Sequence, residues 1–129
     1  ILDGVRAGSN TKAALMIQGM AEMGKLIVEC GGKPDTIYGL AGLGDLIATG
    51  TSAHSRNRAL GEKMGTGKSL KKALVQIPTV VEVIQAAQSA RALCRRMKVK
   101  APLIEAIWKV LHRAAKPKLI VQSLGFNHG

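Results

Sequence analysis

A chain of 129 residues is long enough for one domain with its own core and too short for two ordinary ones. It carries one tryptophan, one tyrosine and one phenylalanine, so an aromatic core is excluded. Ala, Leu, Ile, Val and Met must fill the interior, which favours helix packed on helix. The formal net charge of +11 calls for acidic partners: nucleic acid, phosphorylated metabolites or an acidic neighbouring domain.

In chain order, Ile1 to Ala7 reads as the tail of a helix ended by Gly8. Ser9 or Asn10 then caps a long helix, Thr11 to Cys30. Met16, Met20, Met23 and Ile27 fall on one side of it at spacings of three and four, a pattern of core packing. Gly31-Gly32-Lys33-Pro34 stops this helix, and Pro34 suits the first turn of a short one reaching about Leu40. Ser55 to Met64 is the next helical piece, closed by Gly65 and Gly67. Ser69 caps another, Leu70 to about Gln76, which Pro78 ends.

From Glu82 or Val83 to Met97 runs an amphipathic helix. Its inward side holds Val83, Ala86, Ala87, Ala90, Leu93 and Cys94, and its outer face Arg91, Arg95 and Arg96. Pro102 opens the next helix, with Ile104, Ile107, Trp108 and Leu111 apolar. Pro117 opens a last one to about Leu124, although Leu119-Ile120-Val121 is also the only run with a strand pattern. The fold class predicted is all-α, a single multi-helix domain over residues 1–129. No run approaches the length of a membrane span and no signal peptide is visible. Cys30 and Cys94 read as small buried thiols, which suits a reducing, cytoplasmic compartment. The chain opens on Ile1-Leu2 without a methionine and is expected to be part of something longer.

The stretch richest in chemistry is Gly39 to Arg58, GLAGLGDLIATGTSAHSRNR. Asp45 sits among Leu43, Leu46 and Ile47, where a charged carboxylate needs a partner. If Gly44 to Thr49 is helical, Asp45 and Thr49 share a face and converge on one ligand. Ser55-Arg56-Asn57-Arg58 gathers a hydroxyl, free N–H groups and guanidinium groups at a helix start, a combination suited to phosphate.

Other motifs read as bland. Gly65-Thr66-Gly67-Lys68-Ser69 lacks the upstream glycine and strand of a triphosphate loop, so it is read as a turn between helices with Ser69 as cap. Gly39 to Gly44 lacks the spacing and leading strand of a dinucleotide fingerprint. His54, His112 and His128 are scattered, with no acid at a metal-ligand spacing, and no metal site is expected. Glu82 at a helix start reads first as dipole chemistry.

Taken together, GLAGLGDLIATGTSAHSRNR resembles the signature segment of the bacterial and plastid type of NAD(P)-dependent glycerol-3-phosphate dehydrogenases. The likeness extends to Asp3-Gly4 with Ser9-Asn10-Thr11-Lys12-Ala13-Ala14-Leu15, to Gln18 through Met23, to Val80-Val81-Glu82 and to Pro102-Leu103-Ile104-Glu105. It implies a helical substrate domain like the C-terminal helical domain of 6-phosphogluconate dehydrogenase-like enzymes, normally following a Rossmann domain. It further implies interconversion of dihydroxyacetone phosphate and sn-glycerol 3-phosphate with NAD or NADP, for glycerophospholipid synthesis. Carried over by position, Asp45 holds the substrate hydroxyl and orients a catalytic lysine, and Thr49 lies near the reacting group. Ser55, Arg56 and Asn57 bind the substrate phosphate. Arg56, Val80 and Glu82 contact the cofactor, which is bound mainly by the Rossmann domain; a homodimer is allowed.

That lysine and the Rossmann half are expected upstream of Ile1, and Lys12 is expected to be an exposed residue of the helix entry. The competing reading, motivated by the net charge and by Arg56, Arg58, Arg91, Arg95 and Arg96, is a basic helical nucleic-acid-binding module.

Overall fold

The computed structural model describes residues 1–39, 42, 44, 46, 55–77 and 81–125. Among these, every regular element is helical: α1 (Ser9–Glu29), a 3-10 helix (Pro34–Tyr38), α2 (Arg56–Gly65), α3 (Leu70–Gln76), α4 (Val81–Arg96), α5 (Pro102–His112) and α6 (Lys118–Gln122). The all-α class is as the composition predicts. Leu119-Ile120-Val121, the one strand-like run, lies inside α6. Three residues cannot pair as an edge here, whereas one helical turn puts Ile120 into the core, 4% exposed.

Two clusters hold the fold together. Leu15, Leu60, Met64, Ala73, Leu103, Ala106, Val110, Leu111 and Ile120 join α1, α2, α3, α5 and α6. A smaller one joins Leu26, Cys94 and Ile104 from α1, α4 and α5. Each fully buried Leu or Ile contributes on the order of 1.5–3 kcal/mol, so the first cluster dominates. Helices α4 and α5 form an antiparallel pair along which Trp108 is buried, its indole N–H donating to Gln88 Oε1.

Local signals explain most boundaries. Ser69 Oγ accepts from Lys72 N at 3.3 Å, so the Gly65–Ser69 stretch is the predicted turn between helices. Gly31, at φ 88°, closes α1: its N–H donates to Val28 O at 2.9 Å, and Gly32 N donates to Ile27 O at 2.8 Å. Pro102 opens α5 as predicted, and Glu82 and Arg95-Arg96 place opposite charges at the two ends of α4.

The helix-tail reading of Ile1 to Ala7 stands: Val5 N donates to Ile1 O at 3.0 Å, and the tail closes with Arg6 at φ 56°, Arg6 N on Asp3 O at 3.1 Å and Ala7 N on Leu2 O at 2.9 Å. Several other expectations need correction. Gly8, not Ser9 or Asn10, is the N-cap of α1, because both hydroxyl and amide already lie inside the first turn. The helix from Pro34 is a single 3-10 segment ending at Tyr38. Cys30 is exposed at the end of α1, while Cys94 is buried as expected. Arg91 is half-buried rather than solvated, since Trp108 and Glu105 hold it against α5.

Candidate functional site

An open cavity of about 650 Å³ lies between α1, α2, α4, α5 and α6. Its walls are almost wholly apolar: Met16, Met20 and Met23 from α1, Leu60 from α2, Val83 from α4 and Ile107 from α5 are among them. The methionine stripe therefore borders a cavity, and Met23 is 39% exposed instead of packed in the core. Gly42 and Leu46, from the segment carrying Asp45, also line it. Gly42 sits so near the Ile37 carbonyl that a methyl group there would collide with it, which explains a glycine at this point.

Asn57 is the polar side chain among these lining residues, and it belongs to the start of α2. That start is built as predicted. Ser55 has an extended backbone and its hydroxyl accepts from Arg58 N at 3.2 Å. Arg56 and Asn57, the first two helical residues, are both exposed. No ion pair is made to Arg56 among the described residues, and it is exposed next to Asn57, which lines the cavity, at a helix start whose first N–H groups have no partner within the helix.

Arg58 has a different fate. Its Nε donates to Asp3 Oδ2 at 3.0 Å, and Lys12 Nζ donates to Asp3 Oδ1 at 2.7 Å. The Lys12 bond is the main reason that the Asp3 carboxyl is held below its ordinary value; burial works against it and Arg58 reinforces it. Lys12 is thus committed to an ion pair with its side chain 38% exposed. Glu82 is exposed at the start of α4, one residue before the cavity-lining Val83. The expected site residues Ser55, Arg56, Asn57 and Glu82 therefore lie on two helix starts that border one cavity. Asp45, Thr49 and Val80 fall outside the described residues, as do His54 and His128.

Two residues of structural weight escaped the sequence reading. Asp3 was seen only as part of the helix entry, yet it bridges α1 and α2. Glu22 is 3% exposed and accepts from the backbone N–H groups of Leu103 at 2.8 Å and Ile104 at 3.0 Å, and from Gln18 Nε2 at 2.9 Å. It caps α5 from another helix. The available signal was an acid lying between Met20 and Met23 in the apolar pattern, where an unsatisfied charge is not tolerated.

Fold and cavity together define an all-helical domain with an apolar cleft edged by a capped, arginine-bearing helix start. More specifically, residues 1–122 match the model of the family described as NAD-dependent glycerol-3-phosphate dehydrogenase C-terminus, and the chain belongs to that family. It is 45% identical over 124 residues to the glycerol-3-phosphate dehydrogenase (NAD(P)+) of Pelotomaculum thermopropionicum, a match covering 96% of this chain and 36% of that protein. For the corresponding protein of Clostridium botulinum (strain Eklund 17B / Type B) the identity is 44%, covering 96% and 38%. The crystal structure of glycerol-3-phosphate dehydrogenase from Coxiella burnetii superposes with a TM-score of 0.91 at 38% identity, over 98% of this chain and 39% of that one. The chain thus spans little more than a third of the length of these relatives.

Proposed function

We propose that this chain is the substrate-binding half of an oxidoreductase that interconverts dihydroxyacetone phosphate and sn-glycerol 3-phosphate, in the service of glycerophospholipid synthesis. The supporting observation is the start of α2: a Ser55-capped helix end with Asn57 lining the cavity and Arg56 exposed beside it in sequence. A phosphate dianion is met there by a bidentate guanidinium and by N–H groups at the positive end of a helix. In this reading Ser55, Arg56 and Asn57 hold the phosphate. Asp45, four residues before Thr49 in sequence, grips the alcohol end and orients a lysine supplied from outside these residues, with Thr49 beside the reacting carbon.

The cofactor is NAD or NADP, whose nicotinamide supplies or accepts the hydride when bound. The chemistry of this chain fits its edge only: an exposed guanidinium at Arg56 suits a nucleotide phosphate, and an exposed carboxylate at Glu82, two residues after Val80 in sequence, suits a hydroxyl or amide donor. The rest of the cofactor site is assigned to an N-terminal Rossmann domain, and the working enzyme to the cytoplasm, with a homodimer as its simplest assembly. The nucleic-acid reading draws on net charge and on five arginines, of which Arg58, Arg91 and Arg95 are engaged with Asp3 or Glu105.

The test uses the intact enzyme. Arg56→Ala should raise KM for the phosphorylated substrate roughly a hundredfold with kcat little changed, while Asp45→Asn should chiefly lower kcat. The 129 residues alone should transfer no hydride at any cofactor concentration. Wild-type kinetics in both variants would end the proposal.

A further inference from the structure

We infer that Asp3 is a positioning residue for the phosphate-binding start of α2, acting through Arg58. The inference rests on the function proposed above and adds a residue to that same site. Asp3 divides its carboxylate between two helices: Oδ1 to Lys12 in the first turn of α1, Oδ2 to Arg58 in the first turn of α2. Neither helix has an acid of its own in that turn. Asp3, standing outside both, supplies the negative charge that both helix dipoles favour.

The turn that carries Asp3 is itself fixed. A methyl group on Gly4 would collide with the Glu62 carbonyl and the Gly65 backbone, at the far end of α2. A methyl group on Gly65 would in turn meet the Ile1 carbonyl. Residues 1–6 therefore grip α2 at both ends, through glycine contacts at its C-terminus and through the ion pair at its N-terminus. A helix held at two points has its axis and its rotation set, and Arg56 and Asn57 turn with it.

Arg58 is the lever. Its backbone N–H closes the Ser55 cap, and its side chain is the one Asp3 holds. The two arginines thus divide the work: Arg58 is spent on position, and Arg56 is left for the ligand. Recognition by a planar guanidinium tolerates little displacement, since an error on the order of 1 Å at such a contact costs up to roughly a hundredfold.

The experiment compares Asp3→Asn, Arg58→Lys and Arg56→Ala in the intact dehydrogenase. For each, KM for the phosphorylated substrate, the inhibition constant of inorganic phosphate, kcat and melting temperature are measured. Asp3→Asn should raise KM and the phosphate inhibition constant in the same proportion, roughly tenfold, with kcat within about twofold of wild type. Asp3→Glu should recover part of the loss. Arg58→Lys, which keeps the charge but loses the Nε bond, should reproduce the effect even if Asp3→Asn is too unstable to assay. If both variants lower only the melting temperature and leave the two constants at wild type, Asp3 has no positioning role, whatever Arg56→Ala does. If Arg56→Ala itself leaves phosphate affinity unchanged, the proposed function fails first and takes this inference with it.

Discussion

Glu22 offers the sharpest test of how the domain is built. The carboxylate is 3% exposed, and three N–H donors converge on it, two of them the backbone groups of Leu103 and Ile104 in the first turn of α5. Pro102 has no N–H, so these two account for the orphan donors that point back toward α1. Replacing Glu22 with Ala removes a cap, worth about 0.5–2 kcal/mol, and the charge–dipole attraction, worth up to about 2 kcal/mol in a partly buried setting. It also leaves two buried donors unpaired at about 1–3 kcal/mol each, terms that overlap with the first two. A net loss of about 3–4 kcal/mol follows, which for a domain of this size lowers Tm by on the order of 10 °C or more. Glu22→Gln keeps one accepting oxygen and turns an N–H toward the other donor, so it should recover less than half. Urea denaturation monitored by far-ultraviolet circular dichroism provides the numbers. A Glu22→Ala loss below about 0.5 kcal/mol, the scale of an ordinary surface substitution, would refute the reasoning.

Other expectations concern the two partly exposed carboxylates and the tryptophan. Asp3 and Glu105 are held below their ordinary values of 3.8 and 4.5, first by hydrogen bonds from Lys12 and Arg91 respectively. Their contribution to stability is present above those values and is lost as pH falls through the lower folded-state ones. The urea midpoint should therefore stay level down to about pH 5 and decline below it, with a shallower decline in an Asp3→Asn, Glu105→Gln variant; parallel declines would show that other groups govern acid unfolding. Arg91 lies with its guanidinium carbon 3.5 Å from the Trp108 ring centroid and donates to Glu105 at 2.9 Å. Arg91→Ala should cost about 1–2 kcal/mol and shift the fluorescence of the single tryptophan to the red, whereas unchanged emission would mean that the indole is shielded without it.

What the sequence made legible follows from the range of the interactions involved. Caps, glycine stops and prolines act within a few residues, so the starts of α3 and α5 and the end of α1 were readable from Ser69, Pro102 and Gly31. The start of α2 at Ser55-Arg56 was equally local, although Ser55 proves to be its cap and not its first helical residue. Contacts between distant segments were not readable. Nothing near Asp3 announces Arg58, 55 residues away, and nothing near Glu22 announces Leu103, 81 residues away. Helical spacing puts Arg91 on the outer face of α4, and only the neighbouring α5, through Glu105 and Trp108, decides that this part of the face is covered. The methionine stripe misled for a related reason: periodicity marks an apolar side without saying whether atoms or a cavity stand opposite it. Cys30 belongs to the same class, an apolar-looking position that falls at the C-cap of α1 and is exposed.

The two carboxylates that eluded sequence reading share a consequence for the cleft. Helices α2 and α5 both contribute to its wall, and each has its N-terminal turn tied to α1, α2 by way of Asp3 and Lys12, α5 by way of Glu22. The long helix therefore acts as the reference from which both walls are measured. The ties differ in kind. Glu22 is buried, so its bonds are strong and little screened, and they bear on whether the domain folds. Asp3 is 23% exposed, with partners 30% and 38% exposed, so its ion pairs are weak as sources of stability. A weak contact is still enough to select one rotation of a helix among several of similar energy, because that selection needs only about 1 kcal/mol. On the inference drawn above, ligand geometry rests chiefly on Asp3 and stability chiefly on Glu22, two acids tied to the same long helix.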